Sequence, residues 1–106
     1  MARFLILWRM NLAAPWPRKA SEGLELNEMM WAAIDSFIKE GLIEDFGTFP
    51  EGTSGYSIGK GEATDLFRRL NMFLPYMVAE VHEIIPYEKS KEILREVLTQ
   101  IAALQK

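Results

Sequence analysis

A chain of 106 residues is long enough for one domain and too short for two, so a single domain over residues 1–106 is predicted. The net charge is −3 and the basic residues are interleaved with acidic ones, which excludes the basic stripe of a nucleic-acid-binding protein. The chain has no cysteine, so disulfides, thiolate chemistry and zinc–sulfur sites are excluded.

Hydrophobic residues make up 49% of the sequence, at the upper end of the range for globular proteins. A domain this small leaves part of that apolar surface uncovered, so a homodimer or a higher homo-oligomer is expected. The apolar run at residues 4–8 is too short for the core of a signal peptide, and no stretch approaches the roughly 20 apolar residues of a membrane span. A cytoplasmic protein with no membrane partner is therefore predicted.

The first elements follow from hydrophobic periodicity and turn residues. Residues 3–10 are rich in aromatic and branched aliphatic side chains, which suits a buried first strand, and two prolines soon end it. Apolar residues at helical spacing then predict a helix that begins between Pro17 and Ser21. This helix ends near Glu40, because Gly41 is the residue type favoured just after a helix C-terminus.

The rest of the chain continues in short elements. It is predicted to form a strand at 42–49, a hairpin loop at 50–55, a strand at 56–58, a helix at 62–72, a strand after Pro75, and a last helix at about 87–104. Strict alternation places Ile43 on the same face of the second strand as Asp45 and Gly47. The order βαββαβ with an added C-terminal helix is that of a ferredoxin-like α+β fold.

Two helices can cover only one face of a four-stranded sheet, so the other face needs a different cover. The uncovered face of the first and fourth strands mixes apolar and charged residues, namely Arg3, Leu5, Leu7, Arg9, Val78, Glu80, His82 and Ile84. Such a face is too apolar for open water and too polar for a sealed core. It is therefore predicted to meet the same face of a second copy, sheet against sheet, across a half-wet cavity.

Glu80 and His82 are the candidate catalytic residues, because they lie two residues apart on one strand face. Histidine titrates near neutral pH, so His82 suits a general acid and base, with Glu80 as the carboxylate that orients it. The alternative is that Glu80 pairs with Arg9 and that His82 is a polar residue of the dimer seam. Arg9 either anchors a substrate carboxylate or has a structural role, in which it balances Glu80 or caps the end of the strand. Tyr56 either donates a hydrogen bond to substrate or packs as an ordinary aromatic residue.

No metal and no cofactor are predicted. One histidine, no cysteine and no carboxylate cluster at ligand spacing give a metal ion no convincing binding set. Gly59 and Gly61 precede a predicted helix, but this segment lacks the full fingerprint of a phosphate-binding loop.

Three stretches resemble one known family: Met10-Asn11-Leu12, Gly55-Tyr56-Ser57-Ile58, and Phe73-Leu74-Pro75-Tyr76-Met77 with Glu80-Val81. Together with the element order from about residue 4 to residue 84, they are similar to the muconolactone isomerase-like group of the dimeric α/β-barrel superfamily. The resemblance implies a dimeric α/β barrel with facing sheets, often assembled further into rings. It also implies an isomerase or lyase that moves protons on a small organic acid or lactone in the dimer cavity. This sequence departs from the family at His82, where a small uncharged residue is expected, and in the last helix, which replaces a short tail.

Three kinds of function are compatible with this sequence. The first is a small-molecule enzyme of the muconolactone isomerase-like type, with His82, Glu80, Arg9 and Tyr56 in the roles given above. The second is a non-catalytic protein that holds a small, partly apolar ligand in the same cavity, and the third is a structural oligomer without a ligand. The last helix either docks on its own domain or clasps a neighbouring subunit, and the sequence does not separate these arrangements.

Overall fold

A computed structural model describes residues 2–105 as an α+β fold built on one four-stranded antiparallel sheet. The strands are β1 (Arg3–Met10), β2 (Ile43–Thr48), β3 (Ser54–Lys60) and β4 (Met77–Ile84), and the helices are α1 (Ala20–Lys39), α2 (Ala63–Asn71) and α3 (Tyr87–Leu104). The strands lie in the order β2-β3-β1-β4. This arrangement is compatible with a ferredoxin-like fold, and each element lies within a few residues of its expected position.

Helix α1 ends as the sequence indicates. The N–H of Leu42 donates to the carbonyl of Phe37 at 2.9 Å. The N–H of Gly41 donates to the carbonyl of Ile38 at 3.0 Å. These two bonds form a Schellman motif, which requires a left-handed residue after the helix, and Gly41 has a φ of 77°. The motif delivers the chain directly into β2.

The register around β1 divides the sheet into two faces. Leu66 of α2 is buried in a cluster with Phe4 and Ile6, which identifies the helix-side face. That face consists of Phe4, Ile6, Trp8 and Met10 on β1, Gly55, Ser57 and Gly59 on β3, and Met77, Ala79, Val81 and Glu83 on β4. The open face consists of Arg3, Leu5, Leu7 and Arg9 on β1, Ser54, Tyr56, Ile58 and Lys60 on β3, and Val78, Glu80, His82 and Ile84 on β4. The predicted division of β1 and β4 is confirmed.

Strand β2 departs from strict alternation. Its register with β3 shifts between Ile43 and Asp45, so Glu44 is an extra residue in the ladder, a β-bulge. Ile43 lies opposite a helix-side glycine, and its expected place beside Asp45 and Gly47 is wrong. The bulge instead turns Glu44 to the open face, where it accepts a hydrogen bond from Arg3.

The helix-side face of β3 carries no large side chain. We call its three residues, Gly55, Ser57 and Gly59, the glycine–serine lane. The other face of the same strand carries Tyr56 and Ile58, so the strand is thin on one side only. Because β3 is an interior strand, no large side chain projects from the middle of the sheet towards the helices along this lane.

The indole ring of Trp8 lies across the lane. A Cβ built on Gly55 would come within 2.2 Å of the Trp8 ring and within 2.1 Å of the Gly47 carbonyl oxygen. Trp8 stacks on Phe46 with ring centroids 5.5 Å apart, and its indole N–H donates to the Tyr56 carbonyl at 3.2 Å. The absence of a side chain at Gly55 is therefore a condition of this packing.

The buried apolar core is small. Within residues 2–105, the buried hydrophobic side chains are those of Phe4, Ile6 and Leu66, each about 5% exposed. No residue of α1 is buried. The helices therefore lie over the sheet without sealing it.

Two of the stretches that carry the family resemblance contact each other. The side-chain amide of Asn11 donates to the Pro75 carbonyl at 2.9 Å, and its backbone N–H donates to the Tyr76 carbonyl at 2.8 Å. The indole N–H of Trp16 donates to the Asn11 carbonyl at 2.7 Å. These bonds tie the turn after β1 to the start of β4, so the residues have a structural role.

Helix α3 extends away from the sheet. None of its residues is buried, and the described chain is 69 Å long in its greatest dimension. Of the two arrangements that the sequence left open, docking on its own domain is not the one observed.

Replacing Gly55 with alanine tests the packing of Trp8. The new Cβ meets the indole ring and a backbone carbonyl, so we expect the free energy of unfolding to fall by about 3 kcal/mol. Urea unfolding followed by tryptophan fluorescence measures this change. Gly23→Ala in α1 is the control, because nothing lies within 4 Å of the added Cβ, and it should stabilise the helix by about 0.5–1 kcal/mol. Similar effects of the two substitutions would contradict the packing.

Candidate functional site

The middle of the open face is apolar and uncovered by any helix. Leu5 lies opposite His82 on β4. Leu7 lies between Tyr56 on β3 and Glu80 on β4. Both leucines are half-buried, as is Tyr56, whereas Arg9, Glu80 and His82 are exposed. The face thus combines an apolar centre with titratable groups, as the alternation in the sequence indicates.

The structure brings Glu80 and His82 into direct contact. The Nε2 atom of His82 lies 2.7 Å from Oε2 of Glu80, although their backbones are two residues apart along the strand. An ionised carboxylate only accepts hydrogen bonds, so this contact requires the hydrogen on Nε2 and leaves Nδ1 of the neutral ring as the basic nitrogen. The side chains are 57% exposed for His82 and 66% exposed for Glu80. The pair has the chemistry of an oriented imidazole, and its catalytic role stays a prediction.

Arg9 and Tyr56 lie on the same face but do not join this pair. Arg9 is exposed and lies opposite Val78, and within residues 2–105 the ion pair of Glu80 is with His82 rather than with Arg9. The hydroxyl of Tyr56 donates to Oδ2 of Asp45 at 2.7 Å. This hydrogen bond to Asp45 raises the pKa of Tyr56. Tyr56 is therefore hydrogen-bonded on the β2 side of the face, and its role towards a substrate stays a prediction.

An ion-pair cluster occupies one corner of the open face. Glu44 accepts from Arg3 at 2.7 Å and lies 3.0 Å from the ammonium of Lys60. The hydrogen bonds from Arg3 and from Lys60 lower the pKa of the Glu44 carboxyl. The ion pairs link the bulged end of β2 to β1 and β3. Because the groups are exposed, the cluster contributes little to the free energy of unfolding.

The helix-side face bounds a cavity of about 610 Å³ between the sheet and helices α1 and α2. Its walls are mostly aromatic and aliphatic, and include Trp8, Trp16, Trp31, Phe37 and Phe46. None of the four predicted site residues lines it. The apolar side chains of this face were expected only to pack under the helices, so the sequence did not predict this partly open cavity. The glycine–serine lane was the available signal.

Two polar groups stand out in the cavity wall. The hydroxyl of Ser57 is buried, and no hydrogen-bond partner lies within reach of it in the described chain. The guanidinium of Arg69 donates to the Lys60 carbonyl at 2.6 Å and lies 5.9 Å from the ring of Phe37. Its other two nitrogens donate to the carbonyls of Asp65 and Leu42, each at 3.4 Å. Within residues 2–105 the guanidinium forms no ion pair with a carboxylate, so backbone carbonyls and the ring of Phe37 are its partners.

Neither a metal cluster nor a membrane helix is found in the part of the chain that the structure describes. No three side chains of histidine, cysteine, aspartate or glutamate converge there in a way that could hold a metal ion. None of the helices over residues 2–105 is long and apolar enough to cross a bilayer.

The sequence matches no known protein-family model, and it has no significant similarity to a protein of curated function. The resemblance to the muconolactone isomerase-like group therefore stays a prediction. Any functional conclusion depends on the geometry of the two faces.

Replacing Glu44 with glutamine tests the corner cluster through its pH dependence. The pKa of Glu44 is lowered in the folded state, so its contribution is complete above its ordinary pKa and is lost as the pH falls through the lowered value. When the pH falls from neutral to below the lowered pKa of Glu44, we expect the free energy of unfolding to decrease less in Glu44→Gln than in the wild type. Urea unfolding at a series of pH values measures this, with Glu25→Gln on α1 as the control. An acidic limb of identical slope in the wild type and Glu44→Gln would contradict the role of the cluster.

Proposed function

We propose that this protein binds a small, largely apolar molecule in the helix-side cavity. The observation that carries the proposal is the cavity itself, about 610 Å³ with aromatic walls. Small-molecule sites in proteins are mostly apolar clefts of roughly 300–1,000 Å³ with a few polar groups that fix orientation. A ligand that enters this space removes apolar surface from water on both sides, which drives binding.

The polar groups in the wall narrow the class of ligand. Arg69 offers a positive charge that no carboxylate of the described chain neutralises by an ion pair, and a guanidinium is well suited to a carboxylate. The unpaired hydroxyl of Ser57 favours a ligand oxygen or a water that gives it a partner. A flat apolar body with a single carboxylate satisfies these features, and this class agrees with the small organic acid expected from the sequence.

All three tryptophans of the chain line the cavity, so their fluorescence reports on binding. We expect 2-naphthoate to change this fluorescence saturably, with a dissociation constant below about 1 mM, and to raise the melting temperature by mass action. Thr48→Phe places a ring in the cavity wall and should weaken binding at least about tenfold, or about 1.4 kcal/mol.

Thr64→Phe is the matched control, because Thr64 is an exposed residue at the start of α2 outside the cavity. It should leave the affinity for 2-naphthoate unchanged. The same fluorescence series with naphthalene separates the contribution of the carboxylate from that of the apolar body. Absence of a saturable signal with both compounds would remove the cavity as a binding site.

The contact between Glu80 and His82 favours a second candidate function, a proton-transfer enzyme on the open face. In this candidate, two copies pack sheet against sheet as a dimeric barrel and enclose a chamber. His82 acts as general acid and base on a small organic acid or lactone, Glu80 holds the imidazole, and Arg9 anchors the carboxylate of the substrate. The 2.7 Å contact supports the roles of the first two residues, and the apolar centre around Leu5 and Leu7 supports a second copy as the cover.

Proton exchange at carbon tests this candidate without knowledge of the full reaction. We expect the protein in D₂O to catalyse exchange at the acidic C–H of muconolactone or of a related lactone acid, followed by proton NMR. His82→Ala should slow this exchange about 10²–10⁴-fold, the usual contribution of a general acid or base.

Glu80→Gln should slow the same exchange to a smaller extent, because the imidazole loses its orienting carboxylate. Glu83→Gln is the matched control, since Glu83 lies on the opposite face of β4. Exchange that is absent in the wild type across a panel of small lactone acids, or unchanged in His82→Ala, would rule out this second candidate.

A further inference from the structure

Helix α3 presents a broad apolar side that nothing in its own chain covers. The residues of this side are Ile93, Leu94, Val97, Leu98, Ile101 and Leu104, and all are at least 41% exposed. At about 100° per residue they span an arc of about 140° around the helix. The apolar stripe of a two-stranded coiled coil, formed by two positions per heptad, is narrower than this. The wide apolar side of α3 is therefore suited to packing on a broad surface such as the face of a sheet.

The connection between β4 and α3 directs the helix away from its own sheet. Only Ile85 and Pro86 separate the two elements. Pro86 is extended, with φ −56° and ψ 143°, and a proline also disfavours helical geometry at the residue before it. Neither residue reverses the chain, so α3 does not fold back over β4.

The helix-side face of β4 is a matching apolar surface without a cover. Val81 is 39% exposed and Ala79 is exposed, and both line the open side of the cavity. Across the same opening, Phe67 of α2 is 69% exposed and Leu74 is 53% exposed. Helices α1 and α2 therefore leave a strip of the sheet that has room for one more helix.

The total exposed surface is far larger than a compact monomer requires. The chain exposes 7957 Å², whereas a compact protein of 12.2 kDa exposes about 6,100 Å². The difference, about 1,900 Å², exceeds the roughly 800 Å² that each partner buries in a standard stable interface. A second copy has the same two uncovered surfaces, namely the apolar side of α3 and the helix-side face of β4, which we call the β4 strip. One symmetric contact therefore covers both surfaces in each of the two copies.

From these observations we infer that two copies exchange their α3 helices. The apolar side of each α3 lies over the helix-side face of β4 in the other copy and closes the open side of its cavity. The exchange requires no bound ligand, so it is independent of the proposed function.

Disulfide trapping tests this exchange, because the chain has no cysteine of its own. Val81→Cys and Val97→Cys are prepared as separate chains, mixed in urea, refolded together and oxidised. We expect a disulfide between the two different chains, at least tenfold more abundant than in the control with Thr99→Cys, which lies on the opposite side of α3. Sedimentation of the wild type should give twice the mass of one chain.

The double variant Val81→Cys/Val97→Cys distinguishes the other arrangements. Exchange predicts disulfide-linked dimers, whereas a disulfide within one chain would mean that α3 folds back on its own sheet.

The single variants distinguish two further arrangements. Pairing only between two copies of Val97→Cys would mean that the helices pair with each other. A dimer in sedimentation with no link from Val81→Cys to α3 would mean that the open faces alone form the interface. Each of these three results would overturn the proposal.

A longer connection provides a second measurement in the intact chain. Inserting Gly-Asn-Gly-Ser between Ile85 and Pro86 allows α3 to reach the β4 strip of its own chain. We expect this variant to sediment as a monomer at concentrations where the wild type is a dimer. A variant that remains dimeric with the Val81–Val97 link still between chains would show that the short connection does not enforce exchange.

Discussion

The glycine–serine lane of β3 sets the space between the sheet and its helices. Gly55, Ser57 and Gly59 give an interior strand no large side chain on that face, so Trp8 from β1 lies across the lane instead. Interiors are normally packed to crystal density, and side chains of neighbouring elements occupy the space that Gly55 and Gly59 leave: Trp8 over Gly55, and Ile6 and Leu66 over Gly59. Ser57 and Gly59 also line the cavity, so the lane forms part of its wall.

The two faces of the sheet divide the chemistry of the molecule. The open face has the oriented carboxylate–imidazole pair but no wall around it within one chain. The helix-side face has the enclosing aromatic walls, but none of the predicted acid–base residues lines it. Enclosure strengthens polar interactions and excludes water, which is why we propose the helix side as the binding site. In the second candidate function, a second copy supplies the walls that Glu80 and His82 lack within one chain.

The sequence was a good guide to local structure. Alternation in β1 and β4 correctly separated apolar residues from mixed ones, and the Schellman motif at Gly41 follows from residue type alone. These features depend on residues that are close in sequence. The bulge at Glu44 depends instead on a second strand, because an extra residue in β2 is defined only by its register with β3.

The sites were harder to predict for the same reason. The Glu80–His82 contact results from side-chain rotamers that bridge the spacing between alternate strand residues, and spacing alone does not specify them. The partner of Tyr56 is Asp45, which depends on the shifted register of β2. The cavity exists where the side chains of the sheet are too short to fill the distance to the helices. Hydrophobic periodicity does not specify that distance, although the glycine–serine lane indicates where side chains are short.

Isotope-filtered NOE spectroscopy of the protein with 2-naphthoate locates a bound ligand relative to both faces of the sheet. If the ligand occupies the helix-side cavity, the naphthalene protons give NOE contacts to methyl groups of the cavity wall, namely those of Ile6, Ile34 and Leu70. Contacts to Leu5, Leu7 or Ile58 would instead place the ligand on the open face and would rule out the helix-side cavity as the binding site.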